Sequence, residues 1–169
     1  MRRTYALPVQ TLANACSTAE ERLVVWTLLD TGLRAGEFAG LTRDNVLWQQ
    51  KALRFKGKGG PYGKKTKVRT VPLTKRVMAL MEPHFALHES IPFSKRTVER
   101  IVKRVANRAG ITNEVVPHVL RHTFACDAIR RGISLPALQK ILGHDRLETT
   151  AIYLNLTPQH VLDEFHSKW

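Results

Sequence analysis

The sequence predicts a mainly α-helical domain with a small three-stranded antiparallel sheet, an α+β fold. Most of the chain shows apolar residues at helical spacing, whereas residues 44–72 contain short runs with strand-like patterns and turn residues between them. The length of 169 residues and the hydrophobic fraction of 43% are those of one globular domain with a sizeable core.

Two helices are predicted at the start of the domain. A helical pattern begins at Pro8, and Thr18 with Glu21 three residues later matches a capping box for the next helix. That second helix is apolar on nearly all sides, which indicates burial, and Gly32 ends it. Arg34 and Glu37 follow three residues apart, and the two residues alone fit a structural ion pair as well as a functional one.

The predicted sheet has a short strand between Asp44 and Trp48, a second over 52–56 and a third over 68–72. The segment between the second and third strands is rich in glycine and lysine, a composition that resembles a phosphate-binding P-loop. Its spacing fails that test, because Lys58 stands where the first glycine is needed and Lys65 where a serine or threonine is needed. A strand also follows where that motif has a helix.

Helical patterns occupy the rest of the chain, with Thr74 as a candidate N-cap and with glycines 110, 132 and 143 as stops. The predicted segments are 73–87, 94–109, 118 to 130 or 131, 135–142, 147–153 and 158–165.

The charge distribution predicts a polyanionic partner, with double-stranded DNA first. The formal charge is +13, and residues 51–76 contain ten Lys or Arg and no Asp or Glu. A merely solvated basic face is the alternative. The segment 92–104 also fits a DNA backbone, and its flanking connections do not match a helix-turn-helix. Candidate backbone-binding residues are Lys56, Lys64, Lys65, Lys67, Arg69, Lys95, Arg96 and Arg100.

No membrane partner is expected, because no stretch combines a basic face with a strong apolar face and no apolar run is long enough to span a bilayer. The two cysteines, Cys16 and Cys126, form no C-x-x-C pair, which suggests a reducing compartment. The basic start is not followed by the apolar core of a signal peptide. We therefore expect a soluble, cytoplasmic protein.

The C-terminal third carries the residues with chemical potential. His118 and Arg121 share one helical face, and His118 and His122 have the spacing of a metal-chelating pair. The glutamate and third ligand of a zinc site are missing, so no metal is expected. Taken singly, His144 and Tyr153 would each be interpreted as a residue of the hydrophobic core.

In combination, six short motifs resemble the catalytic domain of the tyrosine recombinases, the phage integrase family. They follow the order found in that family and cover most of the chain from about residue 8 to 160. The motifs are Thr-Gly-Leu-Arg-x-x-Glu at 31–37, Gly-Lys-Gly at 57–59, Arg-Thr-Val-Pro-Leu at 69–73, His-x-x-Arg-His-Thr-Phe-Ala at 118–125, Leu-Gly-His at 142–144, and Thr-Thr-x-x-Tyr ending at 153.

The resemblance implies a role for each catalytic residue. Tyr153 is the nucleophile that leaves a 3′-phosphotyrosine and a free 5′-hydroxyl. Arg34 and Arg121 clamp the scissile phosphate, and His144 donates a further hydrogen bond to it. The remaining assignments are His118 as acid and base, Lys58 as general acid for the leaving oxygen, and Glu37 and His122 as supporting residues. No metal, ATP or other cofactor is implied.

The resemblance also implies an organisation and a setting. Residues 1–7 would be an arm or linker remnant and residues 8–169 the catalytic domain, with the family's N-terminal core-binding domain absent from this chain. A homotetramer on DNA is expected, in which Val161, Leu162 and Phe165 contact a neighbour, or instead pack on their own core. The host would be a bacterium, an archaeon or a phage-infected cell.

Two other functions are alternatives to recombination, and the first of them uses the same residues. One is topoisomerase-like nicking and closing without recombination. The other is a DNA-binding protein that retains the fold without chemistry. A binding module does not require all six catalytic positions, and all six are filled here, so the sequence favours the enzyme.

Overall fold

The computed structural model describes residues 7–56, 68–144, 150 and 166–167, and these residues form helices and one small sheet. The predicted fold class, mainly α with a three-stranded antiparallel sheet, is confirmed. The described helices are α1 (Val9–Asn14), α2 (Ala19–Thr31), α3 (Ala35–Ala39), α4 (Lys75–Leu87), α5 (Lys95–Arg108), α6 (Pro117–Arg130) and α7 (Leu135–Leu142), and the strands are β1 (Val46–Leu47), β2 (Ala52–Lys56) and β3 (Val68–Pro72).

The sheet has the order β1-β2-β3, and both neighbouring pairs are antiparallel. Leu53 and its partner Val71 are fully buried, while Arg54 is exposed, as the alternation predicted. In the same register Phe55 lies opposite Arg69. Phe55 and Arg69 are thus on the same face of the hairpin as Leu53 and Val71, whereas Arg54 and Lys56 lie on the opposite face and are exposed.

Helix α2 is the centre of the described core, because it contacts α4, α5 and α6. Val24, Val25 and Leu28 have no exposed surface. Gly32 ends the helix in the left-handed conformation (φ 64°). A side chain there would collide with Phe124 and Leu142, so glycine is required both for the backbone and for the close packing of α6 and α7.

Local capping explains why several helix starts were predictable. The side chains of Thr18, Thr74, Ser94 and Ser134 each accept a hydrogen bond from the main-chain N–H three residues on. The capping box predicted at Thr18 is only half correct. The carboxylate of Glu21 accepts from the Ser17 main-chain N–H at 2.8 Å instead of returning to Thr18.

Glu21 ties α2 to α5 from a position that is 2% exposed. Arg108 Nη1 lies 2.7 Å from its Oε2, and Arg104 Nε lies 3.1 Å from its Oε1. The Arg108 hydrogen bond, against the opposing effect of burial, lowers the pKa of Glu21 to about 2. The two arginines, together with the hydrogen bonds from Ser17, compensate the desolvation of this charged carboxylate in the core.

The expectation that no stretch is a basic amphipathic helix is wrong for α5. Its apolar stripe includes Val98, Ile101, Val102 and Val105, and its other faces carry lysine and arginine. The four apolar residues are buried in the domain core, so this face is already covered. Among the described residues, no helix is both long and apolar enough to cross a bilayer.

We expect Glu21→Gln to lower the free energy of unfolding by about 2 kcal/mol, because it replaces charge-assisted hydrogen bonds with weaker ones. The folded-state pKa of Glu21 is depressed from 4.5 to about 2. Its contribution is therefore complete above pH 4.5 and is lost as the pH falls towards 2. Urea denaturation at several pH values should show that lowering the pH through this window costs the Glu21→Gln variant less stability than the unmodified protein. Glu20→Gln, at an exposed neighbouring position, is the matched control.

Candidate active site

A buried arginine organises the site. Arg121, in the second turn of α6, is only 3% exposed. Its Nη1 donates to the carbonyl of Gly32 at 2.5 Å, and its Nη2 donates to the carbonyl of Leu142 at 2.8 Å. These carbonyls stand at the C-terminal ends of α2 and α7, where the helix dipole is negative. The two helix ends thus help to compensate the desolvated guanidinium and hold it in one orientation.

His144 lies directly beside this guanidinium. Its Nε2 is 3.0 Å from Arg121 Nη2, and its Nδ1 is 2.9 Å from the hydroxyl of Thr150. Because a guanidinium can only donate, Nε2 accepts this hydrogen bond and the proton of the neutral ring resides on Nδ1. Burial, followed by the charges of Arg121, Arg34 and Arg69, lowers the pKa of His144. The ring is therefore neutral near pH 7.

Glu37 joins two further arginines at the start of α3. Arg69 binds both of its carboxylate oxygens, with Nη1 at 2.6 Å from Oε1 and Nη2 at 3.1 Å from Oε2. Arg34 Nη1 shares Oε1 at 3.2 Å, and the Arg34 main-chain N–H donates to Oε2 at 2.8 Å. Burial raises the pKa of Glu37, but these hydrogen bonds outweigh it and hold the pKa below its usual range.

The two arginines differ in what they face. The Arg69 side chain is 15% exposed, whereas that of Arg34 is 53% exposed. Arg34 opens onto a cleft of about 540 Å³ that is lined by the start of α3, by residues 95–103 of α5 and by the start of α6. The charged and ionisable groups lining this cleft are Arg34, Lys95, Arg96, Glu99, Arg100, Lys103, Glu114, His118 and Arg121.

The two histidines of α6 occupy different environments. His118 is exposed and lines the cleft one turn before Arg121. His122 is half-buried, with Nε2 at 3.6 Å from the Sγ of Cys126. Burial, and then the charge of His118, lowers the pKa of His122. Within the described ranges, no three His, Cys, Asp or Glu side chains are grouped closely enough to hold a metal ion.

This arrangement suits the recognition of a phosphate group. The guanidinium groups of Arg34 and Arg121 line one cleft, and the imidazole of His144 is hydrogen-bonded to Arg121. Planar guanidinium forks match the oxygens of a phosphate. The walls of the cleft add further cations, which would attract an extended polyanion rather than a small isolated anion.

Sequence comparison identifies the family. The model of the phage integrase family matches residues 2–160. The chain belongs to the phage integrase family. It is 31% identical over 167 residues to the tyrosine recombinase XerA of Saccharolobus solfataricus, covering 96% of this chain and 54% of that protein. It is 28% identical over 160 residues to the tyrosine recombinase XerC of Listeria innocua, covering 88% of this chain and 53% of that protein. The chain thus spans about half the length of these relatives.

Solved structures agree with this family assignment. The crystal structure of the XerA recombinase has a TM-score of 0.79 at 27% identity, covering 95% of this chain and 61% of that one. The catalytic domain of bacteriophage HP1 integrase has a TM-score of 0.69 at 25% identity, covering 96% of this chain and 92% of that one. The Tn1549 transposon integrase bound to transposon right-end DNA has a TM-score of 0.79 at 18% identity, covering 99% of this chain and 67% of that one. At this identity the likeness shows only a shared fold. The predicted tyrosine recombinase fold is confirmed.

Three of the six expected catalytic residues of the phage integrase pattern, Arg34, His118 and Arg121, line one cleft, and His144 is hydrogen-bonded to Arg121. Lys95, Arg96 and Arg100 line the same cleft. Lys56 is exposed at the end of β2. Several predicted residues lie outside the described ranges, namely Lys58, Lys64, Lys65, Lys67, Tyr153, Val161, Leu162 and Phe165.

Sequence reasoning missed three features of this site. The carbonyls of Gly32 and Leu142 could not be predicted, because main-chain acceptors leave no mark in residue types. Thr150 was noted only as part of a motif, although its hydroxyl contacts His144. Arg69 was predicted to bind DNA, whereas its guanidinium contacts Glu37. The signal that pointed to Arg69 was its place in the Arg-Thr-Val-Pro-Leu motif.

We expect the side-chain pKa of His144 to lie below 6.5 and its neutral ring to carry the proton on Nδ1. Arg34→Gln should raise this pKa, because it removes one of the positive charges acting on the ring. Nitrogen-15 NMR of the histidine side chains during a pH titration measures both quantities. Arg96→Gln, which removes a cleft cation on α5, is the control and should change the pKa of His144 less. A ring already protonated on both nitrogens at pH 7 would contradict the assignment.

Proposed function

We propose that this chain is the catalytic domain of a site-specific DNA recombinase, with residues 8–169 forming that domain. Tyr153 attacks a DNA phosphodiester to give a 3′-phosphotyrosine and a free 5′-hydroxyl, and strand exchange and religation follow. The observation that carries the proposal is the anchoring of Arg121 by two helix ends, beside His144 and in a cleft shared with Arg34.

The arginines stabilise the reacting phosphate. Charge in phosphoryl transfer gathers on the non-bridging oxygens, and guanidinium groups that are already in place stabilise it without reorganisation. The carbonyl contacts of Arg121 supply that fixed orientation. Arg34, about half-exposed, lines the same cleft as Arg121. Such fixed positive charge takes the part that a metal ion has in other phosphoryl-transfer sites, so the proposed reaction uses no cofactor.

His144 donates to the same phosphate once DNA is bound. In the described geometry its Nε2 accepts from Arg121, so donation requires a proton on Nε2. The arriving phosphate is negatively charged and offsets the cations that lower the pKa of the ring. Either protonation or a change of tautomer then provides the donor. The Thr150 hydroxyl supports both, because it can accept from Nδ1 or donate to it.

Proton transfer falls to His118 and Lys58. A tyrosine hydroxyl with a pKa near 10 is a weak nucleophile at pH 7 and needs a base. His118, exposed at the cleft, takes the proton of Tyr153 as the new phosphorus–oxygen bond forms. Lys58 gives a proton to the 5′ oxygen as the old bond breaks. Religation reverses both transfers, and the energy of the ester is kept in the phosphotyrosine, so no ATP is required. Glu37 and His122 act by supporting these groups.

Double-stranded DNA is the proposed substrate. Lys95, Arg96 and Arg100 extend the cleft along α5 and suit backbone phosphates, which position a protein without reading sequence. Lys56, Lys64, Lys65 and Lys67 add to this basic surface in the proposal. The DNA-bound Tn1549 integrase, which has the same fold, supports it. In the proposal the protein assembles on DNA as a homotetramer, in which Val161, Leu162 and Phe165 contact a neighbouring subunit. It acts in the cytoplasm of a bacterial or archaeal cell.

We expect a covalent protein–DNA adduct with nicked suicide duplexes, because loss of the short 5′ fragment prevents religation. A pool of such duplexes with a randomised segment serves as the probe, and denaturing gels detect the adduct. The adduct should form in the presence of a chelator and be absent with Tyr153→Phe. Tyr62→Phe is the matched control and should react normally. Absence of adduct from the unmodified protein would leave the non-catalytic DNA-binding alternative, and closure of nicks without joining of two sites would indicate topoisomerase-like activity.

We expect Arg96→Gln and Arg100→Gln to weaken DNA binding about equally on all sequences, because they remove phosphate contacts. Each should reduce the slope of log affinity against log salt by about one unit. Fluorescence anisotropy with a random-sequence duplex over a salt series measures the slope. Lys75→Gln, at an exposed position on α4 that does not line the cleft, is the control. Equal slopes for all variants would remove α5 from the DNA interface.

A further inference from the structure

Arg69 contacts three parts of the domain at once. Its terminal nitrogens bind Glu37 at the start of α3, and its Cζ lies 4.9 Å from the ring centroid of Phe55 on β2. Its stem covers Gly143, the residue before His144. A Cβ at position 143 would lie 2.8 Å from Arg69 Cδ and 2.7 Å from Nη1, so a side chain there could not coexist with this contact.

These contacts are those of an internal connection. An arginine that binds DNA phosphates directs its guanidinium outward, whereas both terminal nitrogens of Arg69 are committed to one carboxylate. The side chain is 15% exposed. The cleft-lining residues named above also do not include it.

Glu37 is positioned so that it can interfere with Arg34. Its Oε2 accepts from the main-chain N–H of Arg34, which fixes the carboxylate beside that residue. Its Oε1 is shared by Arg34 Nη1 at 3.2 Å and by Arg69 Nη1 at the shorter distance of 2.6 Å. Arg69 thus makes the closer of the two contacts, and the guanidinium of Arg34 remains half-exposed.

We infer that Arg69 is a positioning residue of the recombination site rather than a DNA ligand. It holds Glu37 in a two-point ion pair, keeps that carboxylate from closing on Arg34, and fastens the β2–β3 hairpin to the turn that carries His144. This inference rests on the proposed function, because it concerns the phosphate clamp formed by Arg34, Arg121 and His144.

The physical argument is a competition between anions. A charged carboxylate without Arg69 would turn to Arg34, and a bidentate arginine–carboxylate pair is strong enough to oppose phosphate binding. Its cost would appear in the reaction more than in overall DNA affinity, since the other phosphate contacts are unchanged. Loss of the hairpin attachment would also slow the reaction, because Arg69 follows closely in sequence on the segment 57–67 that contains Lys58.

The test compares Arg69→Met, Arg69→Lys and the double variant Arg69→Met/Glu37→Gln. Methionine retains an apolar stem over Gly143 without the charge, and lysine retains the charge without the two-point fork. We expect Arg69→Met to slow adduct formation at saturating DNA by about ten- to a hundredfold, as misplacement of a reacting group does. Arg69→Lys should be intermediate. The double variant should recover at least a large part of the loss, because it removes the competing carboxylate.

The readouts are the rate of adduct formation on the duplex selected by the unmodified protein, and the salt dependence of binding to that duplex. Thermal unfolding checks that each variant is folded, and the double variant is built on Arg69→Lys if Arg69→Met does not fold. Arg96→Gln is the control for a DNA ligand. We expect an unchanged salt slope for the Arg69 variants and a reduced one for Arg96→Gln.

Any of three results would overturn the inference. A salt slope reduced by about one unit, with a normal reaction rate at saturating DNA, would make Arg69 a phosphate ligand. A double variant as slow as Arg69→Met would show that Glu37 does not compete for Arg34. Absence of adduct from the unmodified protein rejects the proposed function itself, whereas normal rates for all Arg69 variants reject only this inference.

Discussion

The buried guanidinium of Arg121 is the constraint on which the site depends. A cation that is 3% exposed requires acceptors, and two of them are the C-terminal carbonyls of α2 and α7. Those helices must therefore end at the same point in space, beside α6. Gly32 permits this meeting by leaving room for Phe124 and Leu142. Packing of the hydrophobic core and placement of the Arg121 guanidinium consequently depend on the same helix ends.

The site also concentrates like charges. Arg34, Arg69 and Arg121 all act on His144, and Glu37 compensates two of them directly. Mutual repulsion of this kind raises the free energy of the empty site, and a bound phosphate lowers it. Under the proposed function, binding energy from DNA would then appear as stabilisation of the charged reacting group. Neutral His144 fits this balance, because a fourth positive charge in the empty cleft would add to the repulsion.

Much of the fold could be predicted because its signals are local. The strands β2 and β3 and the helix α7 have the predicted bounds, and Thr74, Ser94 and Gly143 mark helix ends by their own side-chain or backbone chemistry. Contacts between distant segments were not predictable in the same way. Arg121 and Gly32 are 89 residues apart, and Arg108 and Glu21 are 87 apart. The apolar stripe of α5 and the basic residues beside it were both apparent in the sequence, and the structure buries that stripe in the core. The ordered motifs predicted which residues matter, whereas the partner of Arg69 required the three-dimensional structure.

The contact between Arg69 and Gly143 has a consequence for reading natural or engineered variants. Any residue larger than glycine at position 143 must displace the arginine stem, which would also disturb its hold on Glu37. Such a change alters no ionisable group, yet its effect would travel through one side chain to Arg34. A substitution at position 143 would therefore affect the charge balance two contacts away, in addition to straining the left-handed backbone (φ 71°) that glycine adopts there. The smallest residue of the Leu-Gly-His motif is in this sense part of the electrostatics of the site.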